Sequence, residues 1–236
     1  MPGTVFISDL HLDPGRPAVT AALAGFLLDN THRDALYILG DLFEAWVGDD
    51  DDAALASEVA TLLERFARSG PDLFLMRGNR DFLLGETYCA RCTATLLDDP
   101  SVIDLYGEPT LLMHGDSLCT ADAEYMQFRL TARDPAWQAE LLGKPLAERR
   151  ELAAQLRAMS AEANSNKAED IMDVTPSEVQ QVMREAGVRR LVHGHTHRPA
   201  RHREPTGERI VLGDWHDRGW YLEAAPGHLE LVSFRI

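Results

Sequence analysis

The sequence predicts an α/β fold, a mixed sheet covered by helices on both sides, with an all-helical segment set into it. Three observations predict it. Short apolar runs alternate with stretches of helical spacing over residues 1–119 and again over residues 175–236. Side chains able to bind a metal follow five of the apolar runs, and open α/β sheets place their sites at the carboxyl ends of strands. Between residues 120 and 174 the alternation stops and only helical spacing remains. The expected organisation is a core of residues 1–119 and 175–236 with a helical insertion, residues 120–174.

Thr4 to Ser8 is a β-rich apolar run that ends in Asp9-Leu10-His11. Asp9 and His11 are two apart, so on an extended segment their side chains share a face. Pro17 to Asn30 carries Val19, Leu23, Phe26 and Leu27 at helical spacing, and Ala35 to Leu39 is a second buried strand, ending in Gly40-Asp41. The run Asp49 to Asp52 reads as a solvated loop, because four adjacent carboxylates repel one another. Ala53 to Arg68 is a helix. Leu73 to Met76 is a third strand and ends in Gly78-Asn79-Arg80-Asp81, while Leu111 to Met113 runs into His114-Gly115-Asp116.

Within the insertion, Pro135 and Pro145 mark helix starts or turns. Leu152, Leu156 and Met159 form an apolar stripe, and Ser160, Asn164 and Lys167 a polar stripe that spacing alone reads as a solvent face. Thr175-Pro176-Ser177-Glu178 is a capping box with proline at the first helical position, so the helix returning to the sheet starts there. Arg189 to Val192 is a short strand entering His193-Gly194-His195-Thr196-His197, whose last two histidines again fall on one side of an extended segment. Ile210 to Leu212, Trp220 to Ala224 and Leu229 to Phe234 read as further strands.

Composition excludes several function classes. A chain of 236 residues can bury a substantial core. A net charge of −15, with no Lys/Arg-rich run, argues against a nucleic-acid-binding face and against charge-driven adsorption to an anionic membrane. Three cysteines suggest a reducing compartment, and Cys89 and Cys92, without a second pair, read as incidental thiols. No apolar run approaches the roughly 18–20 residues needed to span a bilayer, and no signal-peptide pattern is present, so a cytosolic or peripheral protein is expected.

The histidine pair alone could be ligands or ordinary loop residues; the rest of the chain supplies the partners. Asp9, His11, Asp41, Asn79, His114, His195 and His197 are too many donors for one tetrahedral zinc, and none is a thiolate. Mixed oxygen and imidazole donors suit two five- or six-coordinate ions such as manganese, with zinc, iron or magnesium open. Two cations roughly 3.5–4 Å apart need a bridging anion, for which Asp41 is the natural candidate, and the chemistry implied is hydrolytic phosphoryl transfer. His193 alternates away from His195 and reads as a packing residue, and His32, His202, His216 and His228 as structural or surface residues.

D-x-H, G-D, G-N-R-D, H-G-D and G-H-T-H, in this order and each after a strand, resemble the calcineurin-like metallophosphoesterase superfamily. Several stretches, among them Gly78-Asn79-Arg80-Asp81-Phe82-Leu83, His114-Gly115-Asp116-Ser117-Leu118-Cys119-Thr120 and Ile171-Met172-Asp173-Val174, resemble the UDP-2,3-diacylglucosamine diphosphatase family of lipid A biosynthesis, insertion included. The resemblance implies a sandwich of mixed β-sheets flanked by helices, with the insertion as a cap. It implies two Mn²⁺ ions, one held by Asp9, His11 and His197 and one by Asn79, His114 and His195, with Asp41 between them. It implies hydrolysis of UDP-2,3-diacylglucosamine at the α-phosphorus to UMP and lipid X, at the cytoplasmic side of the inner membrane. Asp41, Asn79, Arg80, His114 and His195 would carry catalysis. Asn79, Arg80, Asp122, Ser160, Asn164, Lys167 and His195 would touch substrate, which turns the polar stripe inward, with Phe82 or Leu83 near the acyl chains. The alternatives are another dinuclear phosphatase, acting on nucleotides or phosphoproteins, and a non-catalytic scaffold, which should have lost ligands.

Overall fold

The structure is a computed structural model that describes residues 3–165, 171 and 173–236, and the side chains of these except 161–165. Two sheets face each other. The first has the strands β1 (Thr4–Ile7), β2 (Ala35–Leu39), β3 (Asp72–Met76) and β4 (Thr95–Leu97) running parallel, and it continues from β1 into antiparallel β10 (Arg218–Ala225) and β11 (His228–Arg235). The second runs in the order β5 (Ser101–Leu105), β6 (Glu108–Met113), β7 (Arg190–His193), β9 (Gly207–Val211) and β8 (Ala200–Glu204), parallel at its centre and antiparallel at both edges.

The two-residue period of a strand assigns the layers. Phe6, Leu39, Met76, Leu112 and Val192 point between the sheets and share one core with Ile210 and Leu222. Their neighbours Val5, Ile7, Leu36, Ile38, Leu73 and Leu75 point outward, onto the buried faces of α1 (Pro17–Asp29) and α2 (Ala54–Arg68). Leu111, Met113 and Leu191 point outward from the second sheet onto Val179 and Met183 of α7 (Pro176–Glu185). The result is a helix–sheet–sheet–helix sandwich.

Between β6 and α7 lie α4 (Ala123–Ala132), α5 (Pro135–Leu142) and α6 (Leu146–Ser165), with prolines immediately before or at two of the three starts, as the sequence suggests. They contribute little to the core: Ala132 and Leu141 are their only buried apolar residues among those described. Charge holds them down instead. Arg149 is buried, donates to Val47 O and pairs with Asp50, and Arg150 pairs with Asp51 and Asp52. Asp49 accepts from the backbone N–H groups of Gly85 and Tyr88. The acidic run is a loop with Asp50 and Asp52 exposed, as expected, but its carboxylates are paired with arginines, and Asp49 turns inward onto backbone amides.

Other departures have local causes. The helix α7 starts at the expected capping box, yet Thr175 makes no capping bond; its hydroxyl accepts from Thr120 at 2.8 Å. The sequence reading lacks α3 (Glu86–Cys92), β4, β5 and β8: a helix of two turns, a strand of three residues, and two edge strands of which β5 buries only Leu105 and β8 nothing. Cys89, Cys92 and Cys119 are free and buried, and burial pushes each thiol up to about 12, consistent with inert packing groups.

Candidate metal centre

Each candidate ligand sits just past a strand: Asp9 and His11 after β1, Asp41 after β2, Asn79 after β3, His114 after β6, His195 and His197 after β7. Both sheets thus contribute to one cluster. The loops after β1 and β2 are zipped together by Asp9 N to Gly40 O (3.1 Å), His11 N to Asp41 O (3.0 Å) and Leu12 N to Leu42 O (2.9 Å). Gly194 N donates to His114 O at 2.9 Å and joins β7 to β6 in the same way.

The local backbone is not the extended one expected from the two-residue spacings. Asp9, His11, Asp41, His195 and His197 all have φ between +49° and +66°, in the left-handed region. Such conformations cost energy in residues with a Cβ and gather at functional sites. One consequence corrects the sequence reading: His195 and His197 do not share a face. Nδ1 of His195 lies 2.9 Å from Asn79 Oδ1, whereas Nε2 of His197 lies 3.2 Å from Nε2 of His11 and 3.4 Å from Asp9 Oδ1.

Two glycines make room. A Cβ on Gly78 would fall 2.1 Å from Asp41 Oδ1, and one on Gly194 would fall 2.3 Å from Asp9 Oδ2. Asp41 Oδ1 accepts from Arg80 N at 2.8 Å, and Asp9 Oδ2 from Ser8 Oγ and His195 N. Asp81, the last residue of the G-N-R-D motif, is fully buried and accepts from the N–H groups of Gly78, Leu42 and Asp41. It locks the β2 and β3 loops to each other.

The donors divide into two halves. Asp9, His11 and His197 offer ligand atoms within 4.8 Å of one another, as do Asp9, Asp41 and His114. The two oxygens of Asp41 face different halves: Oδ2 lies 3.8 Å from His11 Nε2, Oδ1 3.7 Å from His114 Nε2. On the second side, Nε2 of His114 and Nδ1 of His195 both converge on Asn79 Oδ1 at 2.9 Å.

These residues fit divalent cations. Asp9 Oδ1 is buried without a hydrogen-bond partner, and His11 and His197 turn ring nitrogens toward each other instead of toward donors. His114 Nδ1 lies 2.9 Å from Leu39 O, where it donates its proton and leaves Nε2 to face the cluster. The field is negative. Burial alone would depress His114, but the carboxylates of Asp41, Asp9 and Asp116 outweigh it and push the ring up to about 9. Burial opposes ionisation of Asp9 too, yet His197, His114 and His11 hold its carboxyl far below the usual range. His195 is the contrast: burial, then His114, bring it down to about 4, so it is a neutral donor.

Beside Asn79 and Arg80 opens a cavity of ≈ 290 Å³. Its far walls are apolar, formed by Phe82, Leu83, Phe128, Leu152 and Leu156. Of the residues expected to touch substrate, Asn79, Arg80, Asp122 and Ser160 line it, and His195 stands next to Asn79; Asp122 also caps α4, accepting from Tyr125 N. Lys167 and the side chain of Asn164 lie outside the described residues. His193 is buried against Gly194 O, in the packing role expected.

With this geometry in hand, the comparisons decide the family. Residues 4–199 match the calcineurin-like phosphoesterase family. The UDP-2,3-diacylglucosamine hydrolase of Cellvibrio japonicus is 58% identical over 99% of each chain, and that of Pseudomonas aeruginosa 54% over 95% of this chain and 96% of its own. The chain belongs to the UDP-2,3-diacylglucosamine hydrolase family. It is an enzyme, a metal-dependent phosphoesterase. An archaeal phosphodiesterase shares the fold, with a TM-score of 0.53 and 12% identity over 99% of both chains.

The sequence reading of this family member missed Asp116 and Tyr125. Asp116 is buried beneath His114 and accepts from Tyr125 Oη (2.6 Å) and Arg129 Nε (2.9 Å), while the Tyr125 ring lies 5.7 Å from that of His195. The H-G-D motif could have pointed to the first; nothing in the helical spacing singles out the second. Asp99 stands behind them. Its residue is partly exposed, but Oδ2 is enclosed without a partner, and burial and Asp116 push its carboxyl up to about 6. The folded state therefore keeps a proton between pH 3.8 and about 6 that the unfolded state releases, so stability falls as pH rises through that window. In chelator-treated protein, Asp99→Asn should leave stability unchanged below pH 4 and raise it above pH 6, by on the order of 2 kcal/mol. Urea unfolding at both pH values checks this; a gain confined to acid would contradict it.

Proposed function

We propose that the chain hydrolyses the pyrophosphate bond of UDP-2,3-diacylglucosamine at the α-phosphorus, giving UMP and 2,3-diacylglucosamine 1-phosphate in lipid A biosynthesis, with two Mn²⁺ ions. The observation that carries this reading is the cavity beside the cluster, polar at Asn79 and Arg80 and walled largely by apolar side chains beyond them. A substrate with a pyrophosphate at one end and acyl chains at the other matches both ends. A soluble nucleotide or a phosphoprotein has no use for the apolar end.

In this reading Asp9, His11 and His197 would hold one ion and Asn79, His114 and His195 the other, with Asp41 shared between them. Such a pair, when bound, supplies an acidified water and neutralises charge on phosphate oxygens. Residues 120–174 act as the substrate cap, with Asp122, Ser160, Asn164 and Lys167 toward the sugar and phosphate. The exposed Leu130, Leu142, Met159 and Ile171 on that segment suit peripheral contact with the cytoplasmic face of the inner membrane. No helix among the described residues is long and apolar enough to cross a membrane. Incubation with Mn²⁺ and UDP-2,3-diacylglucosamine tests the reading, with UDP-glucose and p-nitrophenyl phosphate as controls. Release of UMP from the diacylated substrate is expected; turnover of the controls alone would overturn it.

Asp41 offsets the repulsion of two cations, which no neutral side chain can do. Asp41→Ala should lose both ions, whereas Asp9→Ala should mainly weaken one. Metal counting on the purified variants decides, and two ions retained by Asp41→Ala would remove the bridge.

Arg80 stands at the cavity's polar end, 4.0 Å from Asp41 Oδ2. Attack at the α-phosphorus expels a sugar phosphate, which leaves without being protonated. A permanent cation with a planar fork then stabilises the developing charge better than an acid would. Arg80→Ala should lower kcat by roughly 10²–10³ with both ions still bound. Arg80→His should restore little on this substrate yet gain on esters with alkoxide leaving groups. Wild-type rates for Arg80→His on the pyrophosphate, without that gain, would refute the leaving-group argument.

A further inference from the structure

Glu44, in the loop after β2, touches three parts of the site at once. Its Oε2 lies 3.1 Å from Nδ1 of His11. Its Oε1 accepts from Nε of Arg157 at 2.9 Å and lies 3.7 Å from Nη1 of Arg80. Arg157 belongs to α6 and lines the cavity, whereas Glu44 N donates to Leu12 O, within the paired loops that carry His11 and Asp41.

The opposite edge of the His11 ring faces the cluster: Nε2 lies 3.2 Å from His197 Nε2, 3.8 Å from Asp41 Oδ2 and 4.0 Å from Asp9 Oδ1. A neutral imidazole carries one N–H, and the partner of one nitrogen decides what the other can do. A carboxylate at Nδ1 selects the Nδ1–H tautomer and turns the Nε2 lone pair inward. At 3.1 Å, with no other partner for Nδ1 among the described residues, the carboxylate acts on the ring as a charge beside its N–H. As a stabilising ion pair, Glu44 with Arg157 would count for little, since both side chains are partly exposed. The consequence of the pair is positional. With Arg157 in place, one carboxylate oxygen is committed to α6 and the other is left for His11. Without it, both oxygens can turn to Arg80.

We propose that Glu44 is a positioning residue that sets the tautomer and orientation of His11 and ties that ligand to helix α6 through Arg157. The proposal rests on the reading of His11 as a metal ligand, and the test separates the two. Mn²⁺ is titrated calorimetrically into chelator-stripped wild type, Glu44→Ala, Glu44→Gln, Arg157→Met and the double variant Glu44→Ala/Arg157→Met, with circular dichroism to confirm folding. Wild type should take two ions; a wild type that takes none would overturn the metal reading itself. Glu44→Ala should weaken one of the two ions 10–100-fold and leave the other unchanged. Glu44→Gln, which keeps a carbonyl acceptor for Nδ1–H, should recover most of the loss. Arg157→Met should weaken the same ion several-fold and add nothing in the double variant. Unchanged affinity in Glu44→Ala, equal weakening of both ions, or no recovery in Glu44→Gln would overturn the positioning role. Additive losses in the double variant would overturn the link to α6. Should Glu44→Ala fail to fold, Glu44→Gln and Arg157→Met make the same comparison, and wild-type affinity in both would overturn the proposal.

Discussion

The site depends on holding left-handed backbone at five of its seven candidate ligands, none of them glycine. Each such residue costs about 1–2 kcal/mol, so Asp9, His11, Asp41, His195 and His197 together store roughly 5–10 kcal/mol, the scale of a whole domain's net stability. What holds them is the hydrogen bonding that continues past the strand ends, together with buried acceptors such as Asp81, which gathers the amides of two loops. These contacts in turn need parallel strands that end at one level and two sheets packed tightly enough to bring their loops together. The apolar layers between and outside the sheets thus serve a cluster of polar groups at their rim.

Helices α4–α6 are attached by a different physics. They bury few apolar groups and are tied by arginines, Arg149 and Arg150 to the aspartate run and Arg129 to Asp116, while Arg157 reaches Glu44 as a positioning contact. The last two pairs end on carboxylates that face the metal cluster. A segment held more by charge than by core, with Phe128, Trp137 and Leu152 only resting on the apolar layer, draws on few of the contacts that hold the sheets. It also explains how a chain with a net charge of −15 keeps four acidic residues side by side.

Much of this was legible in the sequence because strand-end positions carry a double signal. An apolar run followed by Gly-Asp, Gly-Asn or His-Gly marks both the element and its chemistry, and all seven candidate donors fall in the one cluster. The backbone at those positions was not legible, since a two-residue spacing suggests an extended chain whether or not φ is positive. Glu44 was hidden for another reason: its importance lies in contacts with residues remote in sequence, and a lone acidic residue in a loop advertises none. Arg157 was closer to view. It sits three residues before Ser160, one turn upstream of the polar stripe, and following that periodicity backward reaches it. The short edge elements β4 and β8 were lost because neither length nor alternation distinguishes them from loops.

The cluster draws on strands of both sheets, and its members come from near the beginning and near the end of the chain. The first sheet supplies Asp9, His11, Asp41 and Asn79, and the second completes the set with His114, His195 and His197. Completing the donor set therefore depends on long-range contacts, and the pairing of β1 with β10 is of the kind that folds slowly. A chain emerging from the ribosome stays inert until its last third has been made and docked. The complete set of seven donors exists only once both sheets have docked.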